Sequence, residues 1–280
     1  MNNGFQTIRI TDIPIDIIEE VSKQISHYLV GIVKIQETSA SEDAILIGSG
    51  TLVKICNTFG ILTANHVIKE APSQGEIGLI LSERLHRYTI QSELVGRIEI
   101  AKGSIQSEGP DLGFLVLPQA DLGQIKAMKS FRDLSIRRQR ILDNPPENDS
   151  GIWFLCGFPD EQTTNEGATK GFEIVKGFHG LCGGGGVTKE YMSANYDYLE
   201  FDVLYTEEGQ APESFGGVSG GGLWQVPLRQ KVGGKIEAKE TILSGVAFYQ
   251  SPVENNVRSI KCHGRQSIYK IAYDFVAECS

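Results

Sequence analysis

The sequence predicts an all-β protein built in two β-rich halves, with a helix at each end. Short runs rich in valine, isoleucine and leucine recur between glycine and polar turns, the pattern of an antiparallel sheet protein. The chain carries 32 glycines in 280 residues, which suits a fold with many tight turns and close backbone approaches. The strand–helix alternation of a doubly wound sheet is missing from the pattern.

Taken in order, Ile13, Ile17, Ile18, Val21, Ile25 and Leu29 follow a helical period, and Asp12 with Pro14 suits a helix start. This helix, in an extension over residues 1–28, is expected to pack on the main body. Strand-like runs at Leu29–Ile35, Ala44–Ile47, Gly50–Ile55, Gly60–Leu62, Ile77–Leu81 and Leu112–Leu117 define a first half over 29–125. Residues 126–150 form a helical or irregular connector whose arginines (Arg132, Arg137, Arg138, Arg140) are expected on a solvated face, ending in the turn Asn144-Pro145-Pro146-Glu147-Asn148. A second series over 151–265 has runs at Gly151–Cys156, Phe172–Phe178, Tyr198–Leu204, Gly222–Val226 and Ile242–Tyr249. Ile268, Ile271, Ala272, Phe275 and Val276 give a closing helix within 266–280. The four glycines 183–186 lack the lysine and hydroxyl of a phosphate-binding loop, so they read as a flexible loop between strands.

A formal net charge of −9 argues against non-specific binding to nucleic acid or anionic lipid, since both need clustered cations. The hydrophobic share of 40% is ordinary for a soluble domain, and no stretch approaches the roughly 20 apolar residues of a membrane helix. Cys56, Cys156, Cys182, Cys262 and Cys279 are odd in number, far apart and without a C-x-x-C pair. They read as reduced, small apolar residues rather than a disulfide framework or zinc site. Met1–Ile10 is polar and lacks the cationic start and apolar run of a secretion signal. The expectation is a cytoplasmic protein with no metal and no organic cofactor.

Three segments carry chemistry. The first is Phe215-Gly216-Gly217-Val218-Ser219-Gly220-Gly221-Gly222-Leu223-Trp224, a serine among glycines ahead of an apolar strand. Small neighbours let a substrate backbone approach, and the amides of Gly217 and Ser219 can converge on one oxyanion. The second is Gly60-Ile61-Leu62-Thr63-Ala64-Asn65-His66-Val67, a strand running into a polar turn with a histidine. A serine hydroxyl needs such a base to become a nucleophile near neutral pH. His27, His86, His179 and His263 lack that setting. The third is Asp111, at the head of the apolar run Leu112–Leu117, where a carboxylate is reasonable if a histidine N–H meets it. A G-x-S-x-G elbow is also satisfied by Gly217–Gly221, but an α/β-hydrolase needs alternating helices and another triad order.

His66, Asp111 and Ser219 fall in the order His, Asp, Ser, as in chymotrypsin, and Asp111 follows His66 by 45 positions. Around them, Gly48-Ser49-Gly50-Thr51-Leu52-Val53, Leu62–Val67, Asp111–Leu115, Phe154-Leu155-Cys156-Gly157-Phe158-Pro159 and Leu243-Ser244-Gly245-Val246-Ala247 resemble the motifs of the trypsin/chymotrypsin superfamily, in particular its disulfide-free bacterial members. The resemblance covers roughly Tyr28–Val276. It implies two six-stranded antiparallel barrels and an endopeptidase working through an acyl-enzyme on a protein or peptide. Ser219 would attack, His66 shuttle the proton, Asp111 orient His66, and the amides of Gly217 and Ser219 bind the oxyanion. Ser244, Gly245 and Ala247 would pair with the substrate backbone. Glu213, six positions before Ser219, falls where trypsin-like members place a pocket acid, which implies a preference for basic residues.

One departure is Val218, where zymogen-type members carry an aspartate that binds a freed N-terminus. Control is therefore expected from loop order, a regulatory protein partner or expression. The competing reading is a catalytically silent relative that uses the same fold as a binding module.

Overall fold

The computed structural model describes residues 13–37, 42–82, 87–103, 109–167, 174–205, 211–230 and 236–279. The expectations for Met1–Ile10 and for the first two residues of the Phe172–Phe178 run lie outside these. Helix α1 (Ile15–Ser26) presents Ile17, Val21 and Ile25 to the core at a helical spacing. Full burial of such side chains stabilises by about 1.5–3 kcal/mol each relative to exposure.

The first half is one sheet. Its strands are β1 (Leu29–Glu37), β2 (Glu42–Ile55), β3 (Thr58–Thr63), β4 (Glu76–Ile80), β5 (Arg87–Gln91), β6 (Gly96–Lys102) and β7 (Asp111–Val116), in the order β5-β4-β1-β2-β3-β7-β6. Alternation along β2 sends Leu52 to an inner cluster with Val30, Ile32, Ile61 and Leu115, while Val53 and Ile55 face a second cluster shared with the other half. Helix α2 (Asn65–Glu70) follows β3 and buries Val67 and Ile68 in the inner cluster. Where a six-stranded first barrel is expected, the described residues form an open path whose end strands, β5 and β6, do not pair. A 3₁₀ turn at Ser92–Leu94 parts them, held by Arg97, whose guanidinium donates to Ala71 O at 2.9 Å and Ser92 Oγ at 2.8 Å.

The connector contains α3 (Leu122–Met128), β8 (Arg132–Asp133), which pairs in parallel with β2, and α4 (Arg138–Asp143). Its arginines are not simply solvated. Arg137 and Arg140 both pair with Glu240, and Arg138 donates to Asp274 at 2.6 Å, so the basic residues fasten the connector to later parts of the chain.

The second half contains β9 (Ile152–Gly157), β10 (Thr163–Gly167), β11 (Ile174–Phe178), β12 (Leu181–Ser193), β13 (Tyr196–Leu204), β14 (Gly222–Val226), β15 (Leu228–Gln230), β16 (Ile236–Ala238), β17 (Ile242–Gln250) and β18 (Val257–His263). Six of them close into an antiparallel barrel, β12-β13-β18-β17-β14-β9, as expected. The four glycines are not a loop: Gly183, Gly184 and Gly185 pair with Leu155, Phe154 and Trp153 inside β12. A Cβ at Gly185 would collide with the ring of Phe201, so glycine here makes room for the barrel core. The chain ends in a π-helical segment, Ser267–Ala272, that runs into α5 (Tyr273–Glu278).

The halves share one apolar cluster, in which Val53 and Phe114 meet Trp224, Leu243 and Val246, and Tyr28 stacks on Trp224 with centroids 5.3 Å apart. Among the described residues no helix is long and apolar enough to cross a membrane. Cys56, Cys262 and Cys279 carry no disulfide.

Candidate active site

Three elements bring the site together. Asp111, the first residue of β7, is fully buried and accepts from His66 twice: the backbone N–H to Oδ1 at 2.9 Å and ring Nδ1 to Oδ2 at 2.5 Å. Both bonds follow from His66 sitting at the start of α2, directly beyond β3, which pairs with β7. A carboxylate so deep is tolerable only because these donors replace its hydration. Nδ1 is thereby committed to Asp111, leaving Nε2 as the ring's free nitrogen.

The Asp111 amide in turn donates to Nε2 of His263 at 2.9 Å. His263, at the end of β18, is completely buried, with its ring centroid 4.7 Å from that of Phe248 and 5.2 Å from that of Tyr198. Burial pushes its pKa down to about 3, so Nε2 accepts and Nδ1 carries the proton, without a hydrogen-bond partner.

Ser219 stands on the loop before β14. Its carbonyl accepts the Ser49 amide at 2.7 Å, and the Ser49 hydroxyl donates to Gly217 O at 2.7 Å and accepts the Phe158 amide at 2.8 Å. At Gly48 a Cβ would lie 2.5 Å from Val67 Cγ2 and 3.0 Å from Ser219 O, so the serine loop packs beside the residue that follows His66. Gly217 and Gly220 have φ of 81° and 87°, conformations that glycine adopts without strain. The Val218 amide donates to Phe215 O at 3.1 Å, and the Gly220 amide to Ala247 O at 2.6 Å. Among the described residues the amides of Gly217 and Ser219 donate to nothing. No hydrogen bond joins His66 to the Ser219 hydroxyl among them either; such bonds commonly tighten only with substrate in place.

A cavity of about 380 Å³ opens beside Ser219, lined by Phe215, Val218, Ala247, Phe248, Tyr249 and Ile260, with Gly216 and Gln250 at its polar side. Glu213 is not in it. Its side chain is exposed, and its backbone is held outside by Glu161 and Arg258, so the acid expected at the pocket base is absent from the cavity wall.

The edge expected to pair with substrate is also displaced. Gly245 pairs with Leu223 inside the barrel, and Ser244 is fully buried with its hydroxyl accepting from Arg265 Nε at 3.1 Å. A bulge between Leu223 and Trp224 shifts the ladder, and the β14 side of β17 is used up at Val246 and Ala247. Only from Phe248 to Gln250 is that edge without a strand partner among the described residues, so of the three expected residues Ala247 alone borders the cavity.

Three further residues escaped sequence reasoning. Ser49 lay between glycines in a strand, His263 ended a strand that mixes apolar and charged residues, and Glu161 sat in an acidic turn. The only signal available was the pair of glycines around Ser49, a mark of close backbone approach.

No family model and no curated protein sequence matches the chain. Among solved structures, a serine-to-alanine variant of the HtrA-type protease AlgW with a decapeptide is similar with a TM-score of 0.50 and 9% identity, over 94% of this chain and 67% of that one. The inactive serine-to-alanine form of Rv3671c from M. tuberculosis H37Rv aligns over 95% of this chain and 94% of that one, with a TM-score of 0.42 and 10% identity. The chain has the fold of the trypsin-like serine proteases. At these identities the likeness is one of fold.

Proposed function

We propose that the chain is a serine endopeptidase that cleaves protein or peptide substrates after apolar residues. The observation that carries this reading is the His66–Asp111 pair on the segment where Val67 and the Ser219 carbonyl both crowd Gly48, together with uncommitted Gly217 and Ser219 amides and an apolar cavity beside Ser219. Ser219 Oγ attacks the scissile carbonyl and its proton passes to His66 Nε2. Asp111 holds the ring by Nδ1 and balances the imidazolium, while the two amides receive the oxyanion. His66 then protonates the leaving amine, and water, activated by the same ring, releases the acyl group from Ser219.

The cavity supplies the substrate class. Its walls are apolar and aromatic and the only carboxylate expected there, Glu213, points to solvent, so an apolar side chain gains by burial while an arginine loses hydration without a partner. The free edge Phe248–Gln250 supports an extended substrate by strand addition. The AlgW variant, with its decapeptide, offers an analogy for such an occupant. The working site is proposed to be cytoplasmic, with residues 29–125 and 151–265 as the halves that flank it.

The test is a fluorophosphonate probe together with a peptide library, applied to the wild type and Ser219→Ala. Labelling and apolar-directed cleavage that both vanish in Ser219→Ala support the reading. A folded wild type that neither labels nor cleaves replaces it with the silent binding module, which the missing His66–Ser219 hydrogen bond favours.

A further inference from the structure

We propose that Glu161, with Gln250 and Arg258, is a clasp that positions the loop leading to Gly217 and Ser219. The proposal rests on the peptidase reading of the site and names residues that act through the loop rather than on substrate.

Glu213–Gly216 belongs to neither helix nor strand, so its backbone groups must find partners elsewhere. Side chains supply them. Glu161, in the short turn after β9, accepts the Glu213 amide on Oε1 at 2.9 Å and the Ser214 amide on Oε2 at 2.8 Å. Gln250, at the end of β17, accepts the Phe215 amide on Oε1 at 2.9 Å. Arg258, on β18, donates through Nη1 to that same Oε1 at 2.8 Å and to Glu213 O at 2.6 Å. The neighbouring Asp160 amide donates to Gly216 O at 2.8 Å. Three consecutive amides are thus consumed before the chain reaches Gly217, whose own amide stays free.

The need for such a device follows from Val218. Its side chain is 1% exposed and packs with Leu155, Phe215 and Leu223 in the barrel core, so this position offers no carboxylate to anchor the loop from within. Glu161 and Arg258 anchor it from outside with charge-assisted bonds, which are shorter and stronger than neutral ones. The register they impose sets where the uncommitted Gly217 and Ser219 amides stand, and a displacement of about 1 Å there is enough to cost on the order of 10²-fold in rate.

The experiment compares wild type, Glu161→Ala and Glu161→Gln in the full chain. It measures fluorophosphonate labelling of Ser219, kcat and KM on an apolar-directed peptide, and amide exchange of the segment 213–219. Glu161→Ala is expected to lower labelling and kcat by roughly tenfold or more, with KM within about twofold and exchange of the segment accelerated. Glu161→Gln keeps one carbonyl acceptor and is expected to recover part of both. Wild-type labelling, kcat and exchange in Glu161→Ala would overturn the clasp, as would equal losses in both variants. If Glu161→Ala fails to fold, Glu161→Gln decides alone: faster exchange with slower labelling supports the clasp, and wild-type values overturn it. A wild type that does not label defeats the peptidase reading, while exchange of the segment still decides the clasp.

Discussion

The amide of Ser49 donates to the carbonyl of Ser219 at 2.7 Å, so the serine loop of the second barrel hangs from a strand of the first sheet. The Ser49 hydroxyl adds a second link, to Gly217 O, and takes the Phe158 amide. Ser49→Ala keeps the backbone link and strands two buried polar groups. It is expected to cost about 1–3 kcal/mol in urea unfolding and to slow fluorophosphonate labelling. Unchanged values for both would show that the loop is held by its glycine conformations alone.

Asp111→Asn tests the role proposed for the buried carboxylate. An asparagine fits the space but presents one carbonyl oxygen to two donors, and it no longer balances an imidazolium. The expected outcome is a fall in kcat on the order of 10⁴ with the protein still folded, the size seen for the equivalent change in a well-studied triad. Stopped assays and a melting curve on one preparation check it.

Substrate preference separates the apolar cavity from the acid once expected. Glu213→Ala is expected to leave the ratio of arginine to leucine cleavage unchanged, because the side chain is exposed and lies off the cavity wall. A collapse of arginine cleavage in the variant would return Glu213 to the pocket.

The His66–Asp111 contact and the glycine setting of Ser219 were legible because their signals are local. Ser219 needs small neighbours, His66 needs a strand end, and Asp111 needs a strand head, and each requirement is written within a few residues. The terminal helices and four of the six barrel strands (β9, β13, β14 and β17) were legible by periodicity, while β12 and β18 were not. That Gly245 is taken up by Leu223 inside the barrel was not legible, because the bulge at Leu223/Trp224 shifts the ladder in a way no alternation pattern records. The exposed position of Glu213 was not legible because it depends on Glu161 and Arg258, 52 and 45 positions away, which capture its backbone. Gly183–Gly186 read as a loop, and the one steric reason for glycine there, the ring of Phe201 against Gly185, comes from the neighbouring strand.

His263 sets an acid limit. Its folded pKa lies near 3 against an ordinary 6.5, through burial first, so below pH 6.5 the unfolded chain takes up a proton that the folded chain refuses. Stability from this group therefore falls as pH drops from about 6.5 toward 3, with a slope approaching 1.4 kcal/mol per pH unit. Urea midpoints of wild type and His263→Gln at pH 7 and pH 4.5 check this: the variant is expected to lose less on acidification. Equal losses would remove His263 as a cause.

Asp160 points the other way. Burial first, and Glu70 second, raise its pKa, and a Cβ at Gly217 would lie 2.8 Å from its Oδ1. A group with a raised acid pKa favours the folded state most at low pH and loses that contribution as pH rises through the folded value. Asp160→Asn is expected to raise the melting temperature at pH 7 and leave it nearly unchanged at pH 3. It is also expected to speed labelling of Ser219, since a negative charge beside Gly217 opposes the oxyanion. A lower melting temperature at pH 7 would refute the first expectation, and slower labelling the second.

The glycine run in β12 bears on how the molecule assembles. Glycine loses more freedom on ordering than any other residue, and this strand must pair on one side with β9 and on the other with β13. The hairpin to β13 is local, while β9 lies across a long excursion of chain. Ordering Gly183–Gly185 against Trp153–Leu155 therefore costs more conformational entropy per residue than ordering the other seams, and amide exchange along it is expected to be faster than along β13 and β18.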